Sequence, residues 1–157
     1  RTNITSVFDA IALDNPYPAD YLDDAAWNQM VLKAAFMDRP IYRIQGLERR
    51  ANAELAQIIS DYAHERWAAG RVVSPEFWRP VGPFVDQRLA GDMQRLFEAD
   101  HPLQRQAAAL VCADSKHPKA QALLEQYPAL KKKVESGALS WEQLARDWWE
   151  AKRVTNA

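Results

Sequence analysis

The stretch DYAHERWAAG, Asp61 to Gly70, sets His64 beside Glu65 and three residues after Asp61. An imidazole next to a carboxylate can move protons as acid and base, and both groups can ligate a metal ion. The spacing argues against a zinc site of the H-E-x-x-H type, because Ala68 stands where the second histidine would be. Place Leu55 at 0° on a helical wheel that advances ~100° per residue. Ile58, Ile59, Tyr62, Ala63 and Ala69 then fall within about 80° of it, and His64 near ~180°. Asp61 and Glu65 point in other directions again, so His64 reads as solvated or packed on a neighbour. His64 as acid and Glu65 as base remain the candidates if the chain is an enzyme.

The same wheel puts Arg66 near ~20°, inside the apolar stripe. A buried guanidinium needs partners. Either a carboxylate such as Asp23, Asp24 or Glu48 pairs with it, or it recognises an anion through its planar fork. Asn28 raises a similar choice. It lies between Ala35 and Leu32 on an otherwise apolar helix, so it is expected to be buried, as a polar tie to another helix or as a ligand contact. Arg43, Arg49, Arg50, Asn52 and Trp67 complete the surface that could hold a ligand. Trp148 and Trp149 cannot share one direction on a helix, so one of them is expected to be exposed as an anchor for a partner.

These residues need helices to carry them, and the sequence supplies little else. Hydrophobic residues at helical spacing predict helices over Ile4 to Ile11, 23–37, a short turn over Ile41 to Ile44, and 48–69 closed by Gly70. Ser74-Pro75-Glu76 opens a helix that Pro80 and Pro83 keep short. Further helices are expected over 86–99, 102–113, 118–126, 128–136 and 141–153, the last with a capping box of Ser140 and Gln143. No segment alternates with a two-residue period. The fold class is therefore all-α, a compact multi-helix bundle or a short α-solenoid of HEAT-like helix pairs, with essentially no sheet. Asp100-His101-Pro102 and Lys116-His117-Pro118, sixteen residues apart, are the one hint of repetition.

The 157 residues fit a single domain, 48% hydrophobic and 26% charged, with a net charge of −1. Such a balance does not steer the chain to nucleic acid or anionic lipid. Arg39, Arg43, Arg49 and Arg50 face only Glu48 in their stretch, and Lys131 to Lys133 form a second basic run, a solvated face or a weak dock for an acidic partner. Cys112, the only cysteine, lies in the apolar run AAALVCA and reads as a packed small residue in a reducing compartment. No phosphate loop, paired Cys/His spacing or nucleophile elbow is found, so no metal and no cofactor is expected. No apolar run approaches the ~20 residues of a membrane span. The chain begins at Arg1 and is expected to lack an N-terminal part.

The run from Trp27 to Phe84 carries NQMVLKA, YRIQGL, YAHERWAAGR and SPEFWR in order, and is preceded by FDAIALDNPYP from Phe8 to Pro18. With these clusters the chain resembles the EboA family, encoded with the Ebo gene cluster of bacteria and some algae. Residues 1–84 are the most family-like part of one domain spanning 1–157, and 85–157 supply its C-terminal short helices. The resemblance implies a role in metabolite traffic, preparing or moving a small-molecule precursor toward the cell envelope. Its implied partners are the other Ebo-cluster proteins, which resemble a prenyltransferase-like membrane protein, a metal-dependent hydrolase and a sugar-isomerase-like barrel. It supplies no catalytic residues. The expectation is thus a non-catalytic metabolite-binding or adaptor protein, cytoplasmic or at the inner face of the membrane through partners, whose ligand is a small anionic or prenylated metabolite. The alternatives are an enzyme on a phosphorylated or prenylated small molecule, and a purely structural protein-interaction module.

Overall fold

The computed structural model describes residues 22–36 and 47–155. The helix expected over Ile4 to Ile11, the turn over Ile41 to Ile44 and the candidate Arg43 lie outside the described residues. Within them the order is α1 Asp24–Phe36, α2 Ala53–Ala68, a 3-10 helix Pro75–Phe84, α3 Gln87–Phe97, α4 Pro102–Ala113, α5 Pro118–Glu125, α6 Pro128–Glu135 and α7 Trp141–Thr155. No strand occurs among the described residues.

Local chemistry explains the boundaries. Three α-helices begin with proline at the first position, where the missing N–H costs nothing. His101 and His117 form the same cap twice. In each, the ring Nδ1 accepts a backbone amide two residues on, from Leu103 at 3.2 Å and from Lys119 at 3.1 Å. Gly70, at φ 72°, ends α2 in the left-handed conformation that lets the Arg71 amide reach back to the Arg66 carbonyl at 2.9 Å.

Three expectations need correction. α2 starts at Ala53 rather than at residue 48, because the Asn52 side chain accepts the Leu55 amide at 2.8 Å while residues 47–50 form a turn. The helix after Ser74 is not cut short by its prolines. A 3-10 path runs through Pro80 and Pro83 and buries Phe77, Trp78 and Val81. Ser140 does accept the Gln143 amide at 3.2 Å, but the Gln143 side chain donates to Asp147 instead of completing the reciprocal box.

The centre of the described fold is α4. Its run Ala107 to Cys112 is buried residue by residue, and α4 packs against the 3-10 helix, α3, α5, α6 and α7. The three alanines of that run let so many neighbours approach one axis. In a solenoid each pair would touch only the adjacent pairs. Contact of α4 with both the 3-10 helix and α7 is the pattern of a bundle. The 3-10 helix approaches α4 most closely at Gly82, where a Cβ would sit 2.6 Å from Asp114 Oδ2. Arg79 then ties this layer to the turn before α2 and to α7, donating to Glu48 and, at 2.8 Å, to Glu142. α6 is different, since none of its residues is fully buried.

Cys112 is 1% exposed, on one wall of a cavity of about 280 Å³ between α4, α5 and α6. Burial pushes its thiol from 9.0 up to about 12. The sign follows from linkage: between these values the folded chain holds a proton that the unfolded chain releases. This contribution to stability is therefore whole below about pH 9 and is lost as pH rises toward about 12. At neutral pH the native protein is expected to resist thiol reagents, reacting at a rate set by structural opening. Rapid stoichiometric labelling without denaturant would contradict this.

Candidate functional site

α2 and α3 run side by side, and the polar groups on their facing edges meet in sequence order. Gln57 donates to Asp86 at 2.7 Å, and Arg88 pairs with Asp61 at 2.7 Å. One turn on, Asp92 is 3% exposed and uses both carboxylate oxygens: Ser60 Oγ donates to one at 2.5 Å, and His64 Nε2 meets the other at 2.6 Å. An ionised carboxylate only accepts, so Nε2 carries the proton in this contact. Beyond His64 comes Trp67, with its ring centre 5.2 Å from the imidazole and 5.9 Å from that of Trp78, and the Arg95 guanidinium 4.2 Å above it.

The carboxylate holds His64 in one orientation while the side chain stays 48% exposed. An imidazole held this way can bind or shuttle a proton at Nδ1. The order of groups is not that of a nucleophilic triad, where the histidine stands between hydroxyl and carboxylate. Here Asp92 stands in the middle and Ser60 is wholly buried, so the hydroxyl meets the carboxylate and not the imidazole, and no substrate reaches it.

The candidates from the sequence fall into three places. His64 belongs to this seam, but its partner is Asp92 and not Glu65, which is exposed. Helix geometry separates His64 from its neighbour by ~100°, whereas α3 brings a carboxylate directly opposite. Trp67 is half-buried in the same seam.

Asn28 and Asn52 form the second place. Asn28 is fully buried, and the two amides exchange hydrogen bonds at 3.1 and 2.9 Å while Asn52 also caps α2. Arg50 closes over this tie, donating to the Leu22 carbonyl at 2.7 Å and to Asp24 at 3.3 Å, with Trp27 beneath it at 4.8 Å. Arg49 is exposed nearby.

Trp148 and Trp149 lie apart, on α7. Neither is exposed: Trp148 is 7% accessible, and half-buried Trp149 donates to buried Glu76 at 2.8 Å. The expected exposed anchor is thus folded back onto the 3-10 helix.

Arg66 departs from its expected pairing. It lies in the last turn of α2 with its guanidinium 5.6 Å from the Tyr62 ring, and no described carboxylate pairs with it. Asp24 and Glu48 are engaged by Arg50 and Arg79 instead. Its buried Nε has no hydrogen-bond acceptor. Arg66→Ala is therefore expected to cost about 1 kcal/mol, the ring contact and the favourable charge at a helix C-terminus. Loss of a stranded ion-pair partner would cost ~3 kcal/mol, and urea unfolding separates the two values.

Ser60, Asp92 and Arg95 were not among the sequence candidates. Asp92 carried only a weak signal, since on the wheel it lies at the edge of the apolar face of α3, with Leu96, Leu89 and Met93 on one side and Arg88 and Arg95 on the other.

The described fold and seam define an all-α protein with a held imidazole, a ring-stacked guanidinium and no assembled nucleophile. The chain belongs to the EboA family, described as metabolite traffic protein EboA, whose family model matches residues 1–82. Membership gives it a general metabolite-related role. No curated protein and no solved structure matches the chain. The match takes in α1, α2 and most of the 3-10 helix, so Ser60, His64 and Trp67 lie within it and Asp92 and Arg95 beyond it. Among the described residues no helix is long and apolar enough to cross a membrane, and no group of three or more His, Cys, Asp or Glu side chains could hold a metal ion.

Proposed function

We propose that this protein is a non-catalytic helical binding or adaptor protein. It would take up a small-molecule precursor on the cytoplasmic side and hand it on toward the cell envelope, together with other proteins of the Ebo cluster. The observation that carries this reading is the position of Asp92 between Ser60 and His64. Both carboxylate oxygens are spent on holding neighbouring side chains, and the one nearby hydroxyl is sealed from solvent, so the seam offers an oriented surface without a nucleophile. Native mass spectrometry of the purified protein, set against its denatured mass, tests the reading. A small-molecule adduct lost on denaturation is the expected result. Bare protein from cells in which the cluster is active would count against binding.

One observation favours a second reading. His64 is half-exposed and braced by a buried carboxylate, an arrangement suited to acid–base catalysis. On that reading His64→Gln abolishes conversion of a bound metabolite and leaves its binding intact. On the binding reading no conversion occurs in either protein.

A further inference from the structure

At the solvent end of the α2/α3 seam, Arg95 and His64 are both held against Trp67. Trp67 stacks on Trp78 with rings inclined at 23° and carries the Arg95 guanidinium over its ring at 4.2 Å. The second contact fixes Arg95. A guanidinium lying flat on an aromatic ring spends its face on the contact and keeps the N–H groups of its edge free for a bidentate acceptor.

Several arginines of the described surface are taken up by carboxylates. Arg88 is paired with Asp61, Arg79 with Glu48 and Glu142, and Arg50 with Asp24. No described carboxylate pairs with Arg95, which is exposed. His64 stands against the same indole, with ring centres 5.2 Å apart, and its Nε2 is held by Asp92, so that its second nitrogen, Nδ1, is the one left over.

We propose that Arg95 and His64 together bind a phosphate monoester group, with Trp67 positioning the arginine and Asp92, braced by Ser60, positioning the histidine. This rests on the reading that the protein binds a small metabolite, and it names the chemical class of that metabolite. Phosphate oxygens accept from the edge of Arg95 in the bidentate manner that a guanidinium favours. The histidine selects phosphate over other anions. A phosphate monoanion can donate its P–O–H to a neutral Nδ1, and a dianion can accept from the N–H of the imidazolium. Sulfate has no proton to give and meets only the second form. Four other charges lie around the site. Asp92 is buried beneath the imidazole, Asp61 is offset by Arg88, Glu65 is exposed on the next wheel position of α2, and Glu98 accepts from Gln94 one turn beyond Arg95.

The test uses the full chain and NMR titration with inorganic phosphate, methyl phosphate and sulfate. Both phosphates are expected to shift the Trp67 indole N–H and the His64 ring signals saturably, with methyl phosphate binding at least as well as the free ion and sulfate more weakly. Arg95→Gln is expected to weaken methyl phosphate about tenfold or more, since a charge-assisted bidentate contact is lost from a surface side chain. Arg146→Gln, on α7, is the control and is expected to change nothing. Equal binding of sulfate and phosphate, or an Arg95→Gln protein that binds like the parent, would overturn the proposal. Binding of inorganic phosphate alone would overturn the assignment to a monoester. A native adduct that persists unchanged in Arg95→Gln would leave metabolite binding standing and remove this site from it.

Discussion

A fragment ending at Phe84, although it contains the whole family-matched segment, is expected to show no cooperative unfolding transition by circular dichroism. The reason lies in what the later helices cover. α4 packs along the 3-10 helix, and Gln104 donates to the Val73 carbonyl at 2.8 Å. Glu76 is bonded to Trp149, Arg79 to Glu142, and Ser60 and His64 to Asp92. Truncation would remove every one of those partners and uncover Phe77, Trp78 and Val81, each of which is at most 1% exposed in the full chain. Burial of one such side chain contributes about 1.5–3 kcal/mol, and a whole domain is stable by only about 5–15 kcal/mol. Three exposed at once remove most of that margin. A cooperative melt of the fragment would instead divide the chain into two domains.

Asp92→Ala is expected to destabilise the full chain by about 2–4 kcal/mol, read from urea unfolding, because it leaves a buried hydroxyl and an imidazole N–H without an acceptor. Asp92→Asn should cost less, since its amide keeps one acceptor oxygen but turns an NH₂ toward the other partner. The ordering of the two variants is the informative part. If alanine and asparagine cost the same, the contribution of Asp92 is its charge and not its two acceptor sites. If alanine costs under about 0.5 kcal/mol, water replaces the carboxylate and the seam is not sealed.

How far the sequence could be read follows from where each signal resides. α4, α5, α6 and α7 were readable to within a residue or two because Pro102, Pro118, Pro128 and Ser140 mark their first turns chemically. The start of α2 was misread for the opposite reason. Leu47 to Ala51 contains no breaker, and the stop is a single side-chain bond from Asn52. Burial of Asn28 and its tie to a second helix could be anticipated from the wheel, although not that Asn52 would be the partner.

The seam was half legible. Its α2 side was visible as His64 and Trp67, whereas the pairing with Asp92 and Arg95 depends on how two helices are set side by side. Periodicity within one helix does not contain that information. The lack of a carboxylate beside Arg66 has the same origin, because Asp24 and Glu48 are drawn to other arginines by tertiary placement.

The shallow seating of α6 has a kinetic consequence. Its own side chains reach the bundle through half-buried Leu130 and Val134 and the contact of Lys131 with Glu125. An element held so lightly can swing away without the rest of the molecule losing its order. Such a motion would open the cavity wall behind which Cys112 lies. The thiol would then act as a clock for a local event, with a labelling rate nearly flat at low denaturant and steep only once the whole bundle begins to melt.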